Sequence, residues 1–130
     1  MIFLDTSFFV AYYNRNDANH GKAKGIATEI EGETLVLSSH NVEETATFFQ
    51  NREGGKKARE IAMQLMQSRE MEIIFPDREK IIEAIGVMGK NDGLSLCDSL
   101  AVCIMHEKRI RKIASFDADF DRFPGIVRLH

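Results

Sequence analysis

Short apolar or β-branched runs alternate with longer segments of helical periodicity along this chain, and that alternation limits the folds it can adopt. The runs resemble buried strands and lie at residues 2–4, 34–37, 72–75, 112–114 and 125–129. Strands that alternate with helices indicate an α/β fold with a mainly parallel central sheet, here of four to five strands.

The segments between the runs predict helices of different kinds. Residues 18–30 and 57–66 carry apolar side chains at spacings of three and four, which is typical of amphipathic helices. Pro76 fits the first position of a third helix that ends near Gly86 or Gly89. Residues 94–105 are apolar on nearly all faces and predict a central, buried helix.

Length and composition bound the class of protein. A chain of 130 residues with 44% hydrophobic and 28% charged residues predicts one globular domain over residues 1–130. It has no apolar stretch of membrane-spanning length and no basic leader, so we expect a cytoplasmic protein without a membrane partner. The spacing of Cys97 and Cys103 suits core packing better than zinc or a disulfide. The net charge of −3 argues against a constitutive nucleic-acid binder unless a bound cation supplies positive charge.

Acidic residues follow several of the predicted strands. Asp5 ends the first run, Glu43 and Glu44 come after the second, and Asp117 comes after the fourth. Asp98 lies within the buried helix. Ligand sites in parallel sheets form beyond the carboxyl ends of the strands, so these carboxylates could meet at one edge.

Each acid also has an ordinary structural explanation. Asp5 could cap a helix that starts at Thr6, and Asp98 could complete a capping box with Ser95. Asp117, like its neighbours Asp119 and Asp121, could be a turn or cap residue.

One hypothesis nevertheless accounts for all the acids together. Asp98 shares its side of the helix with apolar residues, and a buried charge there must be protonated, paired or bound to a cation. We therefore expect Asp5 to be a metal ligand and leave helix capping to Thr6 and Ser7.

Helical spacing separates the two adjacent glutamates. Glu43 shares its stripe with Ser39, Thr47 and Gln50, which indicates a solvated face. Glu44 lies on the stripe of Phe48, next to the core. We therefore expect Glu44 to point inward.

A cluster of carboxylates without a basic partner favours a hard divalent cation. Oxygen ligands suit Mg²⁺, with Mn²⁺ as the alternative. Such a cation supports phosphodiester hydrolysis. The run from Asp117 imitates a calcium-binding EF-hand loop but has Arg122 and Arg128 where that loop needs glycine and glutamate. Two basic clusters, at 108–112 and 52–59, favour a solvated face, although either could follow a nucleic-acid backbone.

Five segments in this order resemble the PIN domain, and specifically the VapC-type toxin ribonucleases of toxin–antitoxin pairs. They span almost the whole chain and read MIFLDTSFFVAYY, ANHGKA, SSHNVEETATFF, LSLCDSLAVCIM and IASFDADFDRFPGI. The resemblance implies a three-layer α/β/α fold and a magnesium-dependent endoribonuclease acting on RNA. It also implies a homodimer that a cognate antitoxin inhibits.

The resemblance also assigns roles to residues. Asp5, Glu44, Asp98 and Asp117 match the family's catalytic acids, with Asp5 and Asp98 as the firmest metal ligands. Thr6 or Ser7 matches the hydroxyl that accompanies the first acid, and Ser115 stands where threonine is common. Asp119 or Asp121 could share the role of Asp117.

Two other functions remain open from the sequence. A degenerate PIN domain would bind a partner without catalysis, but it would be expected to lack one of the four acids. An RNA-processing nuclease without an antitoxin would keep the same site.

Overall fold

The computed structural model describes residues 1–130 and confirms the α/β fold with a parallel sheet. All five strands pair in parallel, in the order β3-β2-β1-β4-β5. Their bounds are β1 Ile2–Leu4, β2 Leu35–Ser38, β3 Met71–Ile74, β4 Lys112–Ala114 and β5 Val127–Leu129. Each lies within two residues of a predicted run.

Six α-helices and one 3₁₀ helix connect the strands. They are α1 Thr6–Tyr13, α2 His20–Glu29, α3 Ser39–Glu53, α4 Gly55–Gln67, α5 Arg78–Met88, α6 Leu96–Lys108 and the 3₁₀ helix Ala118–Arg122. The prediction that a helix begins at Pro76 was wrong by two residues. Asp77 is the N-cap, its side chain accepts the backbone N–H of Lys80, and the helix begins at Arg78.

The period-two alternation of the central strands divides the core into two layers. Ile2 and Leu4 of β1 point to one face and pack with α1 to α4. Phe3 points to the other face and packs with α5, α6 and the 3₁₀ helix. This gives the expected three layers, with α6 as the predicted buried helix.

A single glycine allows α3 and α4 to meet with almost no loop. Gly54 ends α3 and begins α4, and its φ of +89° lies in the region that side chains other than glycine rarely adopt. The two helices form an antiparallel pair over one face of the sheet, which fixes α3 next to β1 and α1.

The strand order reverses direction beside β1. From β1 the chain builds outward to β2 and β3, then returns to add β4 and β5 on the other side. Leu4 is therefore the register partner of Ala114, and the backbone N–H of Asp5 donates to the Ala114 carbonyl at 3.1 Å. The carboxyl ends of β1 and β4 thus flank the topological switch point, where parallel sheets bind ligands.

No helix in the structure is both long enough and apolar enough to cross a membrane.

Substitution of Phe120 tests how much the core layer on the Phe3 face of the sheet contributes to stability. Phe120 is fully buried against the face of Phe3, so Phe120→Ala should lower the free energy of unfolding by about 3–5 kcal/mol. Urea unfolding followed by circular dichroism measures the change. Phe75→Ala is the control, because Phe75 is 67% exposed and its loss should shift stability by only about 0.5 kcal/mol.

Candidate active site

A cleft at the switch point brings the four predicted acids together. It has a volume of about 440 Å³ and is lined by Asp5, Glu44, Asp98 and Asp117, together with a fifth carboxylate, Asp17. No lysine, arginine or histidine lines it. Five carboxylates therefore share one cleft without a basic side chain to neutralise them.

Asp5 lies at the floor of this cleft and is only 3% exposed. Its Oδ2 accepts hydrogen bonds from the hydroxyls of Ser7, at 2.5 Å, and Ser115, at 2.8 Å, and from the Ser7 backbone N–H. Asp5 is itself the N-cap of α1, so the expectation that Thr6 and Ser7 take over capping was wrong. One carboxylate oxygen both caps the helix and collects every hydrogen bond, which leaves Oδ1 free.

The two serine hydroxyls are oriented by the backbone that follows β4. The Ser7 hydroxyl accepts the N–H of Phe116 at 2.9 Å, and the Ser115 hydroxyl accepts the N–H of Asp117 at 3.0 Å. Each hydroxyl can then donate its only proton to Asp5. Burial raises the pKa of Asp5 above its ordinary value, and the bonds from Ser7 and Ser115 partly offset that rise.

Asp117 reaches the cleft from the loop after β4. Its Oδ1 accepts the backbone N–H of Asp119 and so caps the 3₁₀ helix. The turn-and-cap explanation and the cleft position are therefore both correct for this residue.

Glu44 faces the cleft and Glu43 does not, as the helical spacing predicted. Both side chains are exposed, but only Glu44 lines the cleft, where its Oε2 accepts the Thr6 hydroxyl at 2.8 Å. Asn41 in turn donates to Thr6 Oγ1 at 3.2 Å.

Asp98 lies half-buried in the first turn of α6. Its backbone N–H donates to the Ser95 hydroxyl at 3.0 Å, and that hydroxyl donates to Asp98 Oδ2 at 2.6 Å. A full capping box would require the carboxylate to accept the backbone N–H of Ser95. Here the carboxylate accepts only the Ser95 hydroxyl. Burial, together with the charges of Asp5, Asp117 and Glu44, raises the pKa of Asp98 to about 6, against the opposing effect of Ser95.

Asp119 and Asp121 lie outside the cleft. Asp119 pairs with Arg122, and both oxygens of Asp121 accept from Arg128, at 2.9 and 2.8 Å. Hydrogen bonding to Arg128 lowers the pKa of Asp121. Both carboxylates already have a cationic partner, so Asp117 is the one acid of this run that is available to the cleft.

Three polar residues near the site were not identified from the sequence. Asp17 and Asn19 reach the cleft from the loop between α1 and α2, and Asn41 is buried behind it. In loops an Asp side chain often accepts the backbone N–H two residues further on, and Asp17 Oδ1 accepts the Asn19 N–H at 2.8 Å. Nothing in that local pattern shows that the loop folds over the switch point.

The donor set fits a cation that keeps most of its water. No three His, Cys, Asp or Glu side chains lie close enough together to ligate one ion. Mg²⁺ in proteins is commonly held by one or two carboxylates plus waters and substrate phosphates. Asp5, with its free Oδ1, and Asp98 are suitable for that role.

Comparisons with known proteins identify the family of the chain. The sequence profile of the PIN domain matches residues 2–126. The chain belongs to the PIN-domain family. It is 31% identical over 121 residues to VapC20 of Mycobacterium tuberculosis, named a 23S rRNA-specific endonuclease, with 92% of each chain covered.

Solved structures of PIN proteins share the fold. The crystal structure of VapC20, titled a Sarcin-Ricin loop cleaving toxin, superposes with a TM-score of 0.87 at 28% identity and covers 93% of each chain. A toxin–antitoxin complex from Klebsiella pneumoniae has a TM-score of 0.70 at 16% identity, with 100% of this chain and 98% of that chain covered. FitAcB from Neisseria gonorrhoeae has a TM-score of 0.72 at 16% identity, with 100% and 97% covered. The last two show a shared fold.

The buried charge of Asp5 predicts a stability change that opposes function. Because its pKa is raised in the folded protein, its ionised form destabilises the metal-free fold. This cost declines as the pH falls below the folded-state pKa and is gone below the ordinary carboxyl pKa of the unfolded chain. Asp5→Asn keeps an oxygen for the Ser7 and Ser115 bonds and removes the charge. Without divalent cations at pH 7, the variant should unfold at a higher temperature than the wild type.

The control for this experiment is Asp77→Asn. Asp77 is also an N-cap, but it is exposed, so the substitution should leave the unfolding temperature nearly unchanged. A lower unfolding temperature for Asp5→Asn would show that the carboxylate is stabilising and contradict the prediction.

Proposed function

We propose that this protein is a magnesium-dependent endoribonuclease that hydrolyses RNA phosphodiester bonds as the toxin of a toxin–antitoxin pair. The observation that supports it most is the set of five carboxylates around one cleft with no basic side chain among them. Such a set repels RNA unless a cation neutralises it, and a bound cation would then attract the phosphate.

The four acids of the cleft have different roles in the proposed mechanism. Asp5 offers its free Oδ1, and Asp98, which Ser95 orients, lines the same cleft and would be the second direct ligand. Glu44 and Asp117 line the same cleft and would position a water molecule there. When bound, Mg²⁺ (or Mn²⁺) supplies positive charge for the phosphate and lowers the pKa of its bound water.

The serine network prepares Asp5 for this role. Ser7 and Ser115 hold Oδ2 on the protein side, so the carboxylate cannot rotate away from the cleft when the cation binds. Because no lysine or arginine competes for its charge, the full attraction of Asp5 is available to the ligand.

The named relatives support a proposal for the substrate and the partners of this chain. VapC20 is named for cleavage of 23S rRNA, and its crystal structure for cleavage of the Sarcin-Ricin loop, so we propose a structured ribosomal RNA loop as the substrate here as well. The Klebsiella relative was solved as a toxin–antitoxin complex. We propose that this chain acts in the cytoplasm as a homodimer and is inhibited by a cognate antitoxin protein.

The two adjacent glutamates of α3 form a matched pair for testing the site. Glu44→Gln should reduce the cleavage rate about 100-fold, because the neutral amide attracts a cation more weakly than a carboxylate and cannot accept a proton from water. Glu43→Gln removes the same charge one residue away and should keep the wild-type rate. Single-turnover cleavage of a labelled RNA measures both, and equal rates for the two variants would exclude Glu44 from the active site.

Metal dependence and RNA preference are tested in one assay. The wild type should cleave a ribosomal stem-loop faster than an unstructured RNA in Mg²⁺ and neither RNA in EDTA, with activity restored when Mg²⁺ is added back. Asp98→Asn should give only the EDTA background. Cleavage that persists in EDTA would contradict the metal mechanism, and binding without cleavage by the wild type would favour the non-catalytic alternative.

A further inference from the structure

A fully buried amide lies directly behind the acidic cleft and uses all of its hydrogen-bonding capacity. Asn41 is 0% exposed. Its Oδ1 accepts the backbone N–H of Ser38 at 3.0 Å and the Ser38 hydroxyl at 2.8 Å. Its Nδ2 donates to Thr6 Oγ1 at 3.2 Å and to Cys97 Sγ at 3.7 Å.

The backbone fixes which way this amide points. The N–H of Ser38 can only donate, so it must face the oxygen of Asn41 and not its NH₂ group. A flipped amide would place two donors against each other in a buried site. The NH₂ group is therefore directed toward Thr6.

The direction of the amide determines the direction of the next hydrogen bond. Thr6 Oγ1 accepts from Asn41, and its single proton remains available for one other partner. That partner is Glu44 Oε2, at 2.8 Å. The donors thus run in one order, from Ser38 N–H through Asn41 and Thr6 to the carboxylate.

We infer that Asn41 is a positioning residue for Glu44 and acts through the Thr6 hydroxyl. This inference rests on the proposed function, in which Glu44 works at the cleft. Glu44 is otherwise an exposed side chain on α3 with several rotamers available. The Thr6 hydroxyl holds one of its oxygens, Oε2, at 2.8 Å.

Helix capping accounts for only half of this arrangement. Asn41 is the third residue of α3 and forms a capping box with Ser38, which uses Oδ1 and the Asn41 backbone. The two donations from Nδ2 add nothing to that box, and they reach α1 and α6. An aspartate at this position would satisfy the box equally well but could not donate to Thr6.

A double-mutant cycle tests the inference. Thr6→Val and Asn41→Ala should each lower the single-turnover cleavage rate in Mg²⁺ about tenfold or more while leaving RNA affinity unchanged. The double variant should be no slower than the slower single variant, because both substitutions break the same connection. Thr6→Ser keeps the hydroxyl and should restore the wild-type rate.

Two further variants separate positioning from stability. Asn41→Asp keeps the acceptor for Ser38 but not the donor, so it should lose cleavage even where Asn41→Ala folds poorly. Asn91→Ala is the control, because the Asn91 amide donates to the Val87 carbonyl at the end of α5, away from the cleft, and its removal should leave the rate unchanged. Wild-type rates for the Asn41 variants, or losses that multiply in the double variant, would overturn the inference.

A measurement on the metal-free protein separates this inference from the proposed function. The carboxyl ¹³C resonance of Glu44, assigned with Glu44→Gln, should shift alike in Thr6→Val and Asn41→Asp and stay in place in Asn91→Ala. An unshifted resonance in the first two variants would overturn the positioning role. If the wild type cleaves no RNA but the resonance shifts as expected, the proposed function fails and the positioning of Glu44 stands.

Discussion

The buried charge of Asp5 is the constraint on which the rest of the site depends. A carboxylate that is 3% exposed needs compensation, and the chain supplies it from two segments that are far apart in sequence. Ser7 contributes from α1 and Ser115 from the position just after β4, and the backbone that follows orients both hydroxyls. Each bond is made on Oδ2, so the protein tolerates the charge without neutralising it.

This partial compensation leaves the carboxylate suited to a cation and costs stability in its absence. A lysine or arginine beside Asp5 would stabilise the fold more simply, but it would occupy the position a cation needs. The raised pKa values of Asp5 and Asp98 indicate charge held at a free-energy cost until a ligand offsets it. The acids that do have arginine partners, Asp119 and Asp121, lie outside the cleft.

Capping and cleft-lining are not alternatives in this molecule. Asp5 caps α1, Asp117 caps the 3₁₀ helix, and Asp98 bonds the cap of α6, while all three line the same cleft. A helix start collects unpaired N–H groups, and in an α/β fold it often follows the carboxyl end of a strand. A cap at such a place therefore also faces the cleft.

The sequence by itself determined the elements and the acids. Apolar runs predicted the five strands and an apolar helical segment predicted the buried helix, because burial in a parallel-sheet fold requires those patterns. The helical spacing of Glu43 and Glu44 identified Glu44 as the glutamate that faces the cleft. The tertiary structure decided what depends on contacts between distant segments. Local patterns could not show that the Ser115 hydroxyl donates to Asp5, 110 residues away in sequence. Nor could they show that Asp17 lines the cleft or that the Asn41 amide donates to Thr6. They could not exclude Asp121 either, because its partner Arg128 reaches it only when the last strand joins the sheet. Asp119 pairs with Arg122 only in the geometry of the 3₁₀ helix.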